Sequence, residues 1–280
     1  MNRRALLALL GSSALGCRRE PPASGRARRL VSLSPGITDA LFEIGAGPLV
    51  VARSDYCDYP PEVTRLPRVG TSLTPSYETI TRLQPTLIIG EAGANARKRE
   101  LEAIGPTLLL PWLTLEEIVA SLRALGRLTD TFPAADALAT KLHARLAVPP
   151  PPSGPRVLLV IGYVPGKLEE IWFIRENSLH GAALHAAGAR NAVAEAVAGL
   201  PRLSIERLFA VDPDAIFVLT QAGNASGDYL GPWKALTPLR AVRDGNVTVI
   251  DAPEAYVHGP RILALVERLA AAVAKVRSAP

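Results

Sequence analysis

Short apolar runs alternate along most of this chain with longer stretches whose apolar residues recur at helical spacing, the signature of strands alternating with helices. From Arg29 the order reads strand (Leu30-Val31-Ser32-Leu33), turn (Ser34-Pro35-Gly36), then a helix from Thr38 to Ile44 closed by Gly45. Val50-Val51-Ala52 predicts a second strand, followed by the polar aromatic loop Ser54 to Pro61. A short helix, a strand from Thr86 to Gly90, a helix from Arg97 to Ile104 and a strand at Leu108-Leu109-Leu110 come next. Residues 115–129 and 133–147 predict two helices with a break at Phe132-Pro133. The second half resumes after Pro149-Pro150-Pro151-Pro152 with a strand (Val157 to Ile161), a loop from Tyr163 to Trp172, and a helix from Ser178 to Ala187 closed by Gly188. Strands at Ala215 to Thr220 and Val247 to Ile250 and a closing helix from Pro260 to Val276 complete it. This order predicts an α/β protein whose parallel sheets carry helices on both faces.

One pattern occurs twice. Ser76-Tyr77-Glu78-Thr79-Ile80 leads to Leu83, Pro85 and Ile88-Ile89, and Ser204-Ile205-Glu206-Arg207-Leu208 leads to Val211, Pro213 and Ile216-Phe217. Each copy reads as a short helix with Ser as N-cap, Glu in the first turn where the macrodipole favours an anion, and Pro beyond its end. A duplicated helix–strand unit with a duplicated acid implies two similar lobes presenting equivalent carboxylates, an arrangement suited to docking. Ala40 to Ala46 and Ala183 to Ala189 echo each other in the same way, as do Gly93-Ala94-Asn95-Ala96 and Gly223-Asn224-Ala225.

The 280 residues, 48% hydrophobic and 20% charged, allow a large core. Residues 1–16 read as an export signal: a basic start at Arg3-Arg4, an apolar run from Ala5 to Leu10, and small residues ending at Cys17. Removing them takes away two arginines and no acid, so a net charge of +5 falls to +3, which does not indicate nucleic-acid binding. Small residues before Cys17 resemble a bacterial lipobox, which implies lipidation there; a plain cleaved signal, or a twin-arginine signal, is the alternative. With Cys17 lipidated, Cys57 is left as a lone thiol, more naturally a small buried residue than a reactive one. Residues 17–28 then form a tether, 29–130 a first lobe, 131–154 a connecting helix and Pro-rich linker, and 155–280 a second lobe.

Motifs of hydrolases, P-loop enzymes and zinc proteases are missing, and His180 and His185 are five apart, which does not put them on one helical face. In open parallel sheets ligands bind beyond the carboxyl ends of the strands. The loops there hold Tyr56, Tyr59, Tyr163, Trp172, Tyr256 and His258, flat side chains suited to a flat, partly apolar ligand.

Three spaced segments, Val31 to Asp39, Asp55-Tyr56-Cys57-Asp58-Tyr59-Pro60-Pro61-Glu62 and Pro67-Arg68-Val69-Gly70, resemble the iron-chelate and cobalamin-binding proteins of bacterial ABC importers, most of all the cobalamin branch. The resemblance implies two Rossmann-like lobes joined by a single long α-helix, here 133–147, with the ligand cleft between them and little hinging. It implies a monomer that binds cobalamin or a related corrinoid, has no intrinsic cofactor or catalytic residue, and delivers its ligand to a permease and its ATPase. Glu78 and Glu206 match the family's permease-docking glutamates, and Ser34, Pro35, Tyr56, Asn95, Trp172 and Tyr256 fall at the ligand cleft. Ser72, Leu200 and Glu254 stand where the best-known cobalamin-binding member carries its ligand-contacting tryptophans, and Asp39 where the family usually has Glu. Haem is the alternative ligand, with Tyr56, Tyr256 or His258 as axial group, as is a ferric siderophore, with Arg97 and Arg175 in the cleft. An exported enzyme and a chelate-sensing lipoprotein are the rival classes.

Overall fold

The computed structural model describes residues 28–93, 96–164, 167–195, 197, 201–221 and 228–276. The export segment, Cys17, most of the tether, Asn95 and Leu200 therefore lie outside the described residues.

The first lobe is built on β1 (Leu30–Ser32), β2 (Val50–Arg53), β3 (Leu87–Glu91) and β4 (Thr107–Leu110), all parallel in the order β2-β1-β3-β4. Helix α1 (Pro35–Glu43) follows β1, α2 (Tyr77–Arg82) precedes β3, and α3 (Lys98–Glu102) precedes β4. In the second lobe β5 (Arg156–Val164), β7 (Arg190–Asn191), β9 (Ala215–Thr220) and β10 (Val247–Asp251) pair in parallel in the order β7-β5-β9-β10. That is the strand order of the first lobe repeated, with α6 (Leu179–Ala186) at the place of α1 and α7 (Ile205–Val211) at the place of α2. Gly45 and Gly188 close the matching helices with φ of +83° and +89°, a conformation in which a side chain is strained.

The second sheet is mixed rather than parallel. The segment Tyr163 to Trp172, expected as a loop, belongs instead to a β-hairpin in which β6 (Lys167–Phe173) pairs antiparallel with β5. β8 (Arg202–Leu203) extends the sheet antiparallel to β6. β5 is nine residues long, so β7 pairs with its start while β6 takes the rest of the same edge. Apolar Leu168, Ile171 and Phe173 draw β6 into the core on the outer face of this sheet.

Two helices of fifteen residues each, α4 (Leu115–Thr129) and α5 (Phe132–Leu146), pack against each other between the lobes. The connection is thus a helical hairpin, of which α5 is the expected connecting helix. Its break falls at Asp130-Thr131, where Asp130 takes φ +59°, and Pro133 sits harmlessly in the first turn of α5. Thr114 and Glu117 form a capping box that starts α4. The remaining helices are α8 (Gly231–Lys234), α9 (Arg240–Arg243) and α10 (Ile262–Val273).

One apolar core runs through both lobes, from Leu30, Ile37 and Leu110 through Leu122 and Leu142 to Leu159, Phe217 and Leu265. Smaller cores cover the outer faces of the two sheets. Sharing the central core makes relative movement of the lobes costly, because it would expose the faces of α4 and α5.

Candidate functional site

The segments that follow β1, β4 and β10 meet where the two lobes join. After β1, Gly36 in the first turn of α1 lies under the loop that follows β10: a Cβ added at Gly36 would stand 1.8 Å from the His258 carbonyl oxygen. Trp112, at the start of the helical hairpin, donates its indole N–H to that same oxygen at 2.5 Å. Leu179 N–H donates to the Leu113 carbonyl at 3.2 Å, and the Arg261 guanidinium meets Asp39 at 2.6 Å. Four segments widely separated in sequence therefore lock the lobes together beneath the cleft. Asp39 is buried, and burial lifts its pKa to about 6 even though Arg261 opposes the shift. Arg261 also lies over the Tyr59 ring, 4.3 Å from its centre.

Ser34 caps α1, accepting the Ile37 N–H on its hydroxyl at 3.3 Å, and Pro35 occupies the first helical turn. Both line a cavity of about 230 Å³ at the end of β1 and β3, together with Ser72, Glu91 and Arg97. Tyr56 stands 71% exposed at the turn after β2. Tyr256 is 38% exposed with its hydroxyl donated to the Leu219 and Ile161 carbonyls, and Trp172 lies half-buried under the Arg202 guanidinium, 4.7 Å from its ring centre. Tyr163 does not join them: it packs edge-on against Tyr229 and Trp233 in the outer core of the second sheet. The His258 ring packs on His180 at 4.7 Å, and burial, with Arg175 nearby, lowers its pKa. Of the three groups considered as axial ligands, Tyr56 is the most exposed. Among the described residues no cluster of His, Cys, Asp and Glu forms a metal site, and no helix is long and apolar enough to cross a membrane.

Cys57 is fully buried between Thr38 and Ser54, with Sγ 3.1 Å and 3.3 Å from their hydroxyls, and burial pushes its thiol pKa up. Glu254 is likewise buried and paired with Arg268 at 2.5 Å.

Glu78 and Glu206 occupy the first turns of α2 and α7, at matching points of the repeated unit. A helix linking parallel strands runs opposite to them, so both glutamates lie at the cleft end of their lobes. Both are exposed. Ser204 caps α7 as expected, accepting the Arg207 N–H at 3.3 Å, and hydrogen bonding from Ser204 holds the Glu206 carboxyl below its usual pKa. Ser76 turns its hydroxyl to Thr79 Oγ1 at 2.8 Å instead, and Glu78 pairs with Arg82 at 3.1 Å.

Glu91 carries no mark in the sequence beyond its place at the end of a strand, yet it accepts the Ser34 hydroxyl at 2.5 Å. The residue is exposed, yet partial desolvation of its carboxyl raises the pKa, against the Ser34 hydrogen bond.

The chain is similar to solved and curated proteins over most of its length. It is 29% identical over 204 residues to the vitamin B12-binding protein of Salmonella typhimurium, covering 70% of this chain and 74% of that one. The crystal structure of the periplasmic vitamin B12 binding protein BtuF of Vibrio cholerae superposes with a TM-score of 0.70 at 26% identity, over 90% of this chain and 99% of that one. A periplasmic heme binding protein from Pseudomonas aeruginosa gives 0.71 at 25% identity, over 90% and 95% of the two chains. The family model described as periplasmic binding protein matches residues 30–254, and the chain belongs to that family.

Proposed function

We propose that this chain is an extracytoplasmic solute-binding lipoprotein that captures a metal chelate, cobalamin or a related corrinoid, and hands it to the permease of an ABC importer. The observation that carries this reading is the repeated unit, each copy of which has an exposed glutamate in the first turn of the helix that leads into a parallel-paired strand. Glu78 and Glu206 dock onto permease arginines, one per lobe, so that two charge-assisted contacts fix the orientation. Ser34, Pro35, Tyr56, Asn95, Trp172 and Tyr256 bind the ligand in this reading. Cys17 carries the lipid that holds the protein at the membrane surface, and the protein works as a monomer that binds without turnover. Resemblance to vitamin B12-binding relatives supports a corrinoid. Haem is the second reading, supported by the heme-binding neighbour and by the exposed phenol of Tyr56.

The test is an absorbance spectrum of the protein after incubation with hydroxocobalamin or haemin and removal of free ligand by gel filtration. A corrin spectrum retained at near-equal stoichiometry supports the corrinoid reading. A retained Soret band with no corrinoid bound assigns the cleft to haem, and retention of neither moves the assignment to ferric siderophores.

A further inference from the structure

The first lobe's wall of the cleft carries an exposed acid anchored on a buried hydroxyl and bordered by apolar side chains. Glu91 sits at the end of β3 and accepts the hydroxyl of Ser34, which is 2% exposed and itself accepts the Ile37 amide of α1. The carboxyl is thereby fixed through one hydroxyl to the first turn of a nine-residue helix. Leu33, Pro35, Leu73, Ala92, Ala96 and Leu109 make up half of the residues that line the cavity around it. Arg97, the cation lining the same cavity, has its guanidinium 3.8 Å from the Glu100 carboxylate.

We propose that Glu91 determines specificity in this cleft: its carboxyl accepts a hydrogen bond from a neutral donor on the ligand rim, a primary amide, and disfavours a ligand that presents a carboxylate there. This inference rests on the corrinoid reading above and deepens it. A carboxylate offers about four acceptor positions, and the Ser34 hydroxyl uses one of them. An amide N–H delivered to the remainder makes a charge-assisted bond, stronger than a neutral one. A ligand carboxylate at the same place sets two like charges together against an apolar wall, which weakens binding or draws a proton onto one of them. Desolvation of the carboxyl raises the pKa of Glu91, which acts in the same direction. The corrin periphery is rich in primary amides, whereas haem carries two propionates.

The test compares cyanocobalamin with its separated monocarboxylic acids, in each of which one peripheral amide is hydrolysed, by titration at pH 7.5. The wild-type protein is expected to bind at least one of these isomers tenfold or more weakly than the parent amide. Glu91→Gln, which keeps the shape and removes the charge, is expected to narrow that gap to within threefold. Glu91→Ala must relax the same discrimination and serves where the amide variant fails to fold. Equal binding of every monocarboxylate by the wild-type protein would overturn the proposal, as would a gap that persists unchanged in both variants. Corrinoid binding without discrimination would leave the corrinoid reading standing and remove only the role of Glu91. Haemin bound in place of any corrinoid would overturn both.

Discussion

Replacing Gly36 with alanine tests the interlobe floor directly. The added methyl would stand 1.8 Å from the His258 carbonyl oxygen and 2.8 Å from Trp112 Nε1, so it collides with both partners of the hydrogen bond that joins the lobes. Relief requires the loop after β10 to withdraw, which leaves the buried Trp112 indole and a carbonyl unpaired. That loss costs about 1–3 kcal/mol. Strain in the tightly packed surroundings adds about 1–3 kcal/mol. Alanine recovers about 0.5–1 kcal/mol of helix preference over glycine. The expected net destabilisation is about 3 kcal/mol, measured by urea denaturation followed by far-UV circular dichroism. Trp112→Phe removes the hydrogen bond but keeps most of the ring volume. The double variant should therefore cost less than the sum of the singles by about 1–3 kcal/mol, since one bond is lost only once. Gly162→Ala is the control, because a Cβ there meets nothing within 4 Å. A Gly36→Ala protein within about 0.5 kcal/mol of wild type, or strictly additive single variants, would refute the reasoning.

Three further outcomes follow from the same contacts. Asp39 holds its proton more tightly when folded, at a pKa of about 6 against 3.8, so its contribution to stability is full at low pH and falls as pH rises through that window. Stability curves of wild type and Asp39→Asn measured from pH 4 to 7 should differ in slope, by up to ~3 kcal/mol across the range; parallel curves would show that Asp39 does not titrate there. Joint substitution of Glu78 and Glu206 by alanine should abolish transport while leaving ligand affinity within about twofold, because both side chains are exposed and belong to short surface helices. Transport that survives the double change removes the docking assignment. The Cys57 thiol, fully buried with its pKa raised, should react with iodoacetamide at least about a hundredfold more slowly in the native protein than in urea. Rapid native labelling would mean that the loop after β2 opens freely.

Features whose cause is local are legible in the sequence. Strand and helix order, the matching closures at Gly45 and Gly188, and the twin acids Glu78 and Glu206 all follow from spacing within a few residues. The Rossmann-like repeat of strand order, β2-β1-β3-β4 against β7-β5-β9-β10, is implied by the duplicated segments. The hairpin of β5 and β6 is not legible in this way, because Gly162 interrupts β5 and the charged residues Lys167, Glu169 and Glu170 mask the strand pattern of β6. Only the outer core shows why Ile171 and Phe173 must pair inward. The packing of Tyr163 away from the cleft is hidden for the same reason.

The sequence by itself determined the two lobes, their repeated units and the helix-borne acids at the cleft end, since periodicity and capping act over one or two turns. Tertiary structure alone decided which groups face each other across the cleft floor. Asp39 and Arg261 are 222 residues apart, and Trp112 and His258 are 146 apart. Ser34 and Glu91, 57 residues apart, meet because β1 and β3 are neighbours in register. No local pattern encodes such pairs; they exist because burying one continuous core through both lobes brings the strand ends to the same place.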